Sequence, residues 1–494
     1  MARKPRTAGP RSARDLRSRV RTRIEKDSLG DVKVPADACY GAQTARAIAN
    51  FPISGLRAHP AFIRAYGQIK LAAVLVNGEL GLIPRRVVRP IAQAARDVIA
   101  GRLDGEFVVD AFQAGAGTSF HMNVNEVIAN RAATILGLPR GRYDRVHPND
   151  HVNFGQSTND TYPTAMRMAS RGLLARLAGE TDRLAVSLRA RGRAFDRILK
   201  SGRTHLQDAV PVRLGQEFAA YGEAIARSGR DLREAIKGLE ELPIGGSATG
   251  TGLNTHPRYR ARVIRHLRAL TGWPLRGVAD LREGMQSQQV IARASGAMRN
   301  LALELVRIGN DLRLLSSGPF TGLAEIALPA VQPGSSIMPG KVNPVIAEML
   351  TMVAFQVVGN DVAVALAVQA GQLELNVMMP LMAHDGLQSA EILANACRVF
   401  RERCVEGITA DADRCRDYAL RSLGLATALN PILGYAAAAE IAKEAGSTGR
   451  TIADVVRARG ILPEETLAGV LDPVAMTEPG VPGRGGRRGP GRRR

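Results

Sequence analysis

Along most of the chain apolar residues recur every three or four positions, the spacing of helices with one buried face. Over residues 60–82, Phe62, Ile63, Tyr66, Ile69, Leu71 and Leu75 follow that spacing. From about Ser157 to Cys404 the runs lengthen. The stretches near 164–199, 214–242, 287–315 and 344–368 contain few breakers and exceed the usual length of a globular helix, which predicts a bundle of long helices. Before about Gly155 the pattern mixes short extended pieces with helices. After Gly407 shorter elements predict a small C-terminal region. The expected organisation is a tail at 1–22, a mixed, mostly helical domain at 23–155, a central long-helix bundle at 156–406, a small helical domain at 407–479 and a tail at 480–494. The fold class is mainly α. No repeat of 20–50 residues is evident.

Composition narrows this picture. At 494 residues the chain suffices for several packed regions. Aromatics are only 4%, and abundant alanine, leucine and valine suit close helix packing. Cys39, Cys397, Cys404 and Cys415 lack metal-ligand or CxxC spacing, so they read as reduced core residues of a cytoplasmic protein. No uninterrupted run of eighteen apolar residues and no secretory leader appears, so no membrane partner is expected. The N-terminal tail, basic and poor in acids, has some transit-peptide character.

The net charge of +21 suggests nucleic acid until its location is traced. Residues 1–23 carry nine Lys/Arg against one Asp, a net +8, and residues 481–494 carry six Arg and no acid, a net +6. Both tails are rich in Arg, Gly and Pro, a composition that predicts disorder and at most weak contacts with anions.

Candidate chemistry concentrates in residues 334–344, GSSIMPGKVNP. Glycines and prolines make it a shaped loop, bearing two hydroxyls, a cation and an amide. Ser335 beside Lys341 and Asn343 meets two needs of carbanion chemistry: a base for a weakly acidic C–H and a cradle for the resulting oxyanion. It is not a phosphate-binding P-loop, because five residues separate Gly334 from Gly340 and Val342 follows the lysine. Nor is it Ser-x-x-Lys, since no lysine lies three residues after either serine. An incidental surface turn is the default for such a segment taken alone.

The loop and its companions resemble the fumarase/aspartase superfamily. RTHLQDAVP (203–211), HPNDHVNFGQSTND (147–160), TGLNTHP (251–257), NDLRLLSSGP (310–319), GNDVAVALAVQAGQLELNVM (359–378) and the opening 23–51 all match it in order. The resemblance implies a three-domain fold with a central long-helix bundle, a homotetramer and active sites built from three subunits. It implies elimination from a dicarboxylate to give fumarate. Ser335 matches the family's base, and Lys341 and Asn343 match carboxylate ligands. Thr204 and His205 match a substrate-binding pair, with Glu348 orienting the histidine. Thr118, Ser157, Thr158 and Asn159 complete the pocket. No metal or organic cofactor is implied.

Within the family, Ala116 in GAGTS, Thr158 in GQSTND, AGQLELNVM and GITAD resemble aspartases, which release ammonia from L-aspartate. VHPND and GYAAAAEIAKEA have the flavour of class II fumarases, the alternative. A different class, a basic-tailed RNA-binding or scaffold protein on an inactive lyase fold, fits poorly with an intact residue set. Four positions depart from the family. His121 replaces an asparagine close to Thr118, Phe320 an arginine expected near the bundle core, Met379 a glutamate and Phe154 a lysine of fumarases.

Overall fold

Among the described residues, alanine- and leucine-rich stretches with few breakers wind into five helices of 25 residues or more, Thr158–Ala194, Leu214–Leu239, Gln289–Leu315, Val345–Gln369 and Met379–Arg403. The structure is a computed structural model and describes residues 21–483, so the expectations for the tails at 1–20 and 484–494 lie outside the described residues. In chain order the elements are β1 Thr22–Asp27, β2 Gly30–Pro35, α1 Ala42–Asn50, α2 Pro60–Glu79, α3 Arg85–Ile99, α4 Thr118–Ile135, α5 Thr158–Ala194, β3 Leu199–Thr204, β4 Gln207–Arg213, α6 Leu214–Leu239, α7 Tyr259–Thr271, α8 Leu281–Gln286, α9 Gln289–Leu315, α10 Val345–Gln369 and α11 Met379–Arg403. Short helices follow, and Leu425, Leu429, Ile441, Ile452, Val455 and Val470 share one apolar cluster there. The fold is mainly α, as expected.

α5 begins six residues before the start expected at Thr164. Pro163 sits in its second turn, where the missing N–H costs one backbone bond and the helix carries through. The far end falls short of Leu199, because Leu199 opens β3 and pairs with Arg213.

The chain divides into two compact units, each sewn from separate stretches. Among the described residues, unit 1 holds 21–175, Glu234–Gly296 and Gly359–Ala390. There α2, α3 and α4 pack together, and Phe62 lies against Tyr66, Phe120 and Tyr162 with ring centroids 5.3, 5.3 and 4.8 Å away. Unit 2 holds Arg176–Arg233, Ala297–Val358 and the described residues 391–483. Its β3–β4 hairpin is anchored by fully buried Glu325. One carboxylate oxygen receives Arg203 at 2.9 Å, and the other lies 3.6 Å from the Lys200 ammonium. A buried carboxylate needs that much opposite charge.

α10 is long and apolar enough by length and composition to cross a membrane, with a mean hydropathy of 1.6 over its best eighteen residues. It also carries buried polar groups. Asn360 donates to Ser389 at 3.0 Å and Asp361 accepts from Ser295 at 2.6 Å, both inside unit 1. Phe320 stands 91% exposed on the loop after α9, which corrects the expectation that it lies near the bundle core. All four cysteines are free and buried.

Candidate functional site

In unit 1 the candidate residues gather at two helix N-termini, whose unpaired N–H groups and dipoles favour an anion. α4 is launched by Gly115-Ala116-Gly117. Gly117 has φ +86°, and a Cβ there would stand 2.0 Å from the Tyr162 ring, so only glycine fits. Ala116 is buried, also at positive φ, and its N–H donates to the Val377 carbonyl at 2.7 Å. The turn delivers Thr118, exposed, as the first residue of α4.

Ser157 and Thr158 open α5. Buried Asp160 ties that start down. Its carboxylate accepts N–H bonds from Ser157 at 2.9 Å, Gly245 at 2.9 Å and Ser247 at 3.2 Å. Burial nonetheless pushes its pKa up to about 6, against the pull of those amides and of Lys70. Asn159 donates its amide to the Ala248 carbonyl at 2.8 Å.

α4 and α5 are joined through His121, one turn beyond Thr118. Its Nδ1 lies 2.8 Å from Thr158 Oγ1 and its Nε2 lies 2.8 Å from Lys70 Nζ. Lys70 Nζ also reaches Asn153 Oδ1 at 3.0 Å and Gln156 Oε1 at 2.9 Å. Both side chains are buried. Burial pushes the pKa of Lys70 well below its ordinary value, and burial followed by the nearby Lys70 charge does the same to His121.

In unit 2 the candidates sit on turns. His205 and Leu206 form the two-residue tip of the β3–β4 hairpin, at φ +54° and +60°. Positive φ at both positions is the turn that matches strand twist, but for side chains of this size it is strained, and such strain clusters at working sites. The tip leaves Thr204 and His205 exposed. In the 334–344 loop, Ser335 Oγ accepts N–H bonds from Ile337 at 3.2 Å and Met338 at 2.9 Å. Gly334 N–H donates to the Lys341 carbonyl at 2.8 Å, and Asn343 Nδ2 donates to the Gly334 carbonyl at 2.6 Å. A Cβ on Gly334 would meet the Lys341 carbonyl oxygen at 2.5 Å, so the closure requires glycine. Lys341 is exposed beyond it.

The structure thus brings Ser157, Thr158 and Asn159 together, links them to the α4 turn that bears Thr118, and gathers Ser335, Lys341 and Asn343 in one loop. Glu348 lies in the first turn of α10, and among the described residues no hydrogen bond or ion pair joins it to His205. Asn343 uses a donor to close its own loop. Reading the sequence for site residues missed Lys70, Asn153, Gln156 and Asp160. Lys70 gave one signal, a lone cation between Ile69 and Leu71 on an apolar stripe. Among the described residues no cluster of His, Cys, Asp or Glu could hold a metal.

Known proteins resemble this chain over most of its length. The family model described as Lyase matches residues 30–359, and the one described as Fumarase C C-terminus matches residues 425–478. An aspartate ammonia-lyase from a Bacillus species is 46% identical over 94% of this chain and 99% of its own length. A class II fumarate hydratase from Xylella fastidiosa is also 46% identical, over 93% of this chain and 96% of its own. A crystal structure of a fumarate lyase:delta crystallin from Brucella melitensis superposes with a TM-score of 0.89 at 46% identity, covering 93% of this chain and all of that one.

Proposed function

The chain belongs to the fumarase/aspartase superfamily of lyases, and we propose that within it the protein is an aspartate ammonia-lyase, converting L-aspartate reversibly into fumarate and ammonia. The observation that carries the reading is the Ser335 hydroxyl, held under two backbone N–H groups. A serine is a poor base until its alkoxide is stabilised, and two amides with a lysine in the same loop supply that stabilisation.

The steps balance without a cofactor. The Ser335 alkoxide takes a proton from the carbon next to one carboxylate, and that carboxylate becomes a dianionic enediolate. Lys341 and the donors Thr118, Ser157, Thr158 and Asn159 stabilise the charge as it develops. The electron pair then returns to form the C=C bond as the C–N bond breaks and nitrogen leaves as ammonia. Thr204, His205 and Asn343 bind the substrate; the resemblance gives Glu348 the role of orienting His205, a pairing that no bond among the described residues makes.

Ala116 favours ammonia over water as the leaving group. Two residues before Thr118, it stands where class II fumarases resemble GSGT, and its methyl offers no hydroxyl to hold a water. Fumarate hydratase is the second reading, favoured by a relative of equal identity. Fumarate absorbance separates the two. L-aspartate should yield fumarate much faster than L-malate does. The reverse preference would make the protein a hydratase, and no fumarate from either would remove both.

The resemblance also implies a homotetramer with shared sites. Met352, Phe355, Val362 and Leu366 support it: they form a stripe on α10, each more than half exposed. Helices of other copies would cover that face. Sedimentation should give the mass of four 52.8 kDa chains, and a monomer would refute the assembly. Four buried free cysteines fit a reducing, cytoplasmic compartment.

A further inference from the structure

Two amide groups decide which way the protons run around Lys70. Gln156 Nε2 donates to the Val152 and Phe154 carbonyls at 3.1 and 3.3 Å, and Asn153 Nδ2 donates to the Gln156 carbonyl at 3.2 Å. Carbonyls only accept, so both amides are oriented with their oxygens toward Lys70 Nζ. Nζ therefore donates to both. Held as the ammonium, Nζ has three protons and no lone pair, and the third group within reach is His121 Nε2, at 2.8 Å. With Nε2 accepting, a neutral imidazole carries its proton on Nδ1. That N–H then donates to Thr158 Oγ1, 2.8 Å away. The Thr158 hydroxyl proton points elsewhere, and among the described residues no acceptor for it is found.

We infer that Lys70 and His121 are positioning residues: Lys70 selects the Nδ1–H tautomer of His121, and that tautomer commits the Thr158 hydroxyl to donate to a substrate carboxylate. The opposite arrangement has a neutral amine accepting from Nε2–H. Nδ1 would then accept from Thr158, leaving hydroxyl lone pairs facing the anion. Asp160, whose charge acts on Lys70, favours the ammonium, while burial opposes it; the Tyr66 ring, 5.7 Å from the imidazole, brings no charge at neutral pH. The inference rests on the reading that Thr158 meets a carboxylate.

The test uses the full-length protein with succinate, a dicarboxylate lacking a leaving group. His121→Phe keeps a ring and removes both nitrogens. It should weaken succinate by about tenfold, the effect of one hydrogen bond to a charged group. KM for the amino-acid substrate should rise more than kcat falls. In a Thr158→Val background the same change should alter succinate affinity less than about twofold, because the bond it controls is already gone. His121→Asn, which keeps a donor near Thr158, should recover part of the loss and serves if His121→Phe does not fold. Nitrogen NMR of histidine-labelled wild-type protein should show one neutral histidine with its proton on Nδ1. An unchanged affinity in His121→Phe, effects of His121 and Thr158 that simply multiply, no succinate binding by the wild type, or an Nε2–H tautomer would each overturn the inference. Succinate binding that passes the cycle without fumarate release from L-aspartate would sink the proposed reaction and leave the relay standing. Fumarate release with the Nε2–H tautomer would do the reverse.

Discussion

Thr158, His121 and Asp160 sit buried in unit 1 with their polar atoms tied to neighbours, whereas His205, Ser335 and Lys341 in unit 2 ride on a strained hairpin tip and a proline–glycine loop that solvent reaches. The first group is continuous with a packed aromatic core, through Tyr66 beside His121 and Tyr162 against Gly117. The second is held by its own backbone closures, at Gly334 and at the β3–β4 turn. Groups that recognise an anion gain from burial, since fixed donors in a dry setting need no reorganisation. The groups proposed to move a proton are carried on elements whose alteration leaves the core untouched. Damage in unit 1 should therefore appear first in stability, and damage in unit 2 first in turnover.

The largest expected effect lies in unit 2. Ser335→Ala should lower turnover by about 10²–10⁴-fold, the range of a lost general base, with an unchanged melting temperature. Ser336→Ala should be milder, since among the described residues no amide is found on its hydroxyl. Lys341→Ala should cost about 10²–10³-fold and weaken succinate binding as well. Inactivity in Ser336→Ala with near-normal turnover in Ser335→Ala would assign the base to the other serine. A collapse of stability in either would erase the contrast between the units.

Next comes Gly117→Ala, which forces a Cβ into the Tyr162 ring at positive φ. Overpacking together with left-handed backbone should destabilise the protein by about 2–4 kcal/mol. Urea unfolding measures this, and a midpoint within error of wild type would show that the turn can shift freely.

A smaller effect depends on pH. In the unfolded chain a histidine takes up a proton as pH falls through about 6.5, and buried His121 resists it. Stability from its neutral burial is complete above that pH and lost as pH falls, by up to about 1.4 kcal/mol per unit. His121→Asn should flatten the decline between pH 7 and 5 in urea titrations. An equal slope in both proteins would mean that His121 is charged in the fold.

The smallest effect is expected from removing residues 1–20 and 484–494, which are rich in arginine and poor in apolar residues. Turnover and oligomer mass should stay within about twofold of wild type; a larger change would make the tails part of the enzyme.

Much of the site was legible because its pieces are local. Ser335, Lys341 and Asn343 fall within nine residues, so one motif announced them, and GQSTND announced Ser157 to Asn159 together. α11 was not among the expected stretches, but the other four of the five long helices were legible too, to within a few residues except at the two ends of α5. Exposure was not. Phe320 was placed by its neighbours in sequence and lies in solvent instead, because a loop's direction depends on what packs beneath it.

The sequence alone determined the helical pattern, the loop that carries Ser335 and the family, since each rests on residues near one another in the chain. Only the tertiary structure decided that Lys70 meets His121, 51 residues away, and that His121 meets Thr158, 37 residues further on. Hydrogen-bond direction and pKa follow from which groups are buried side by side. Helix packing sets that, and the spacing of residues along the chain does not encode it.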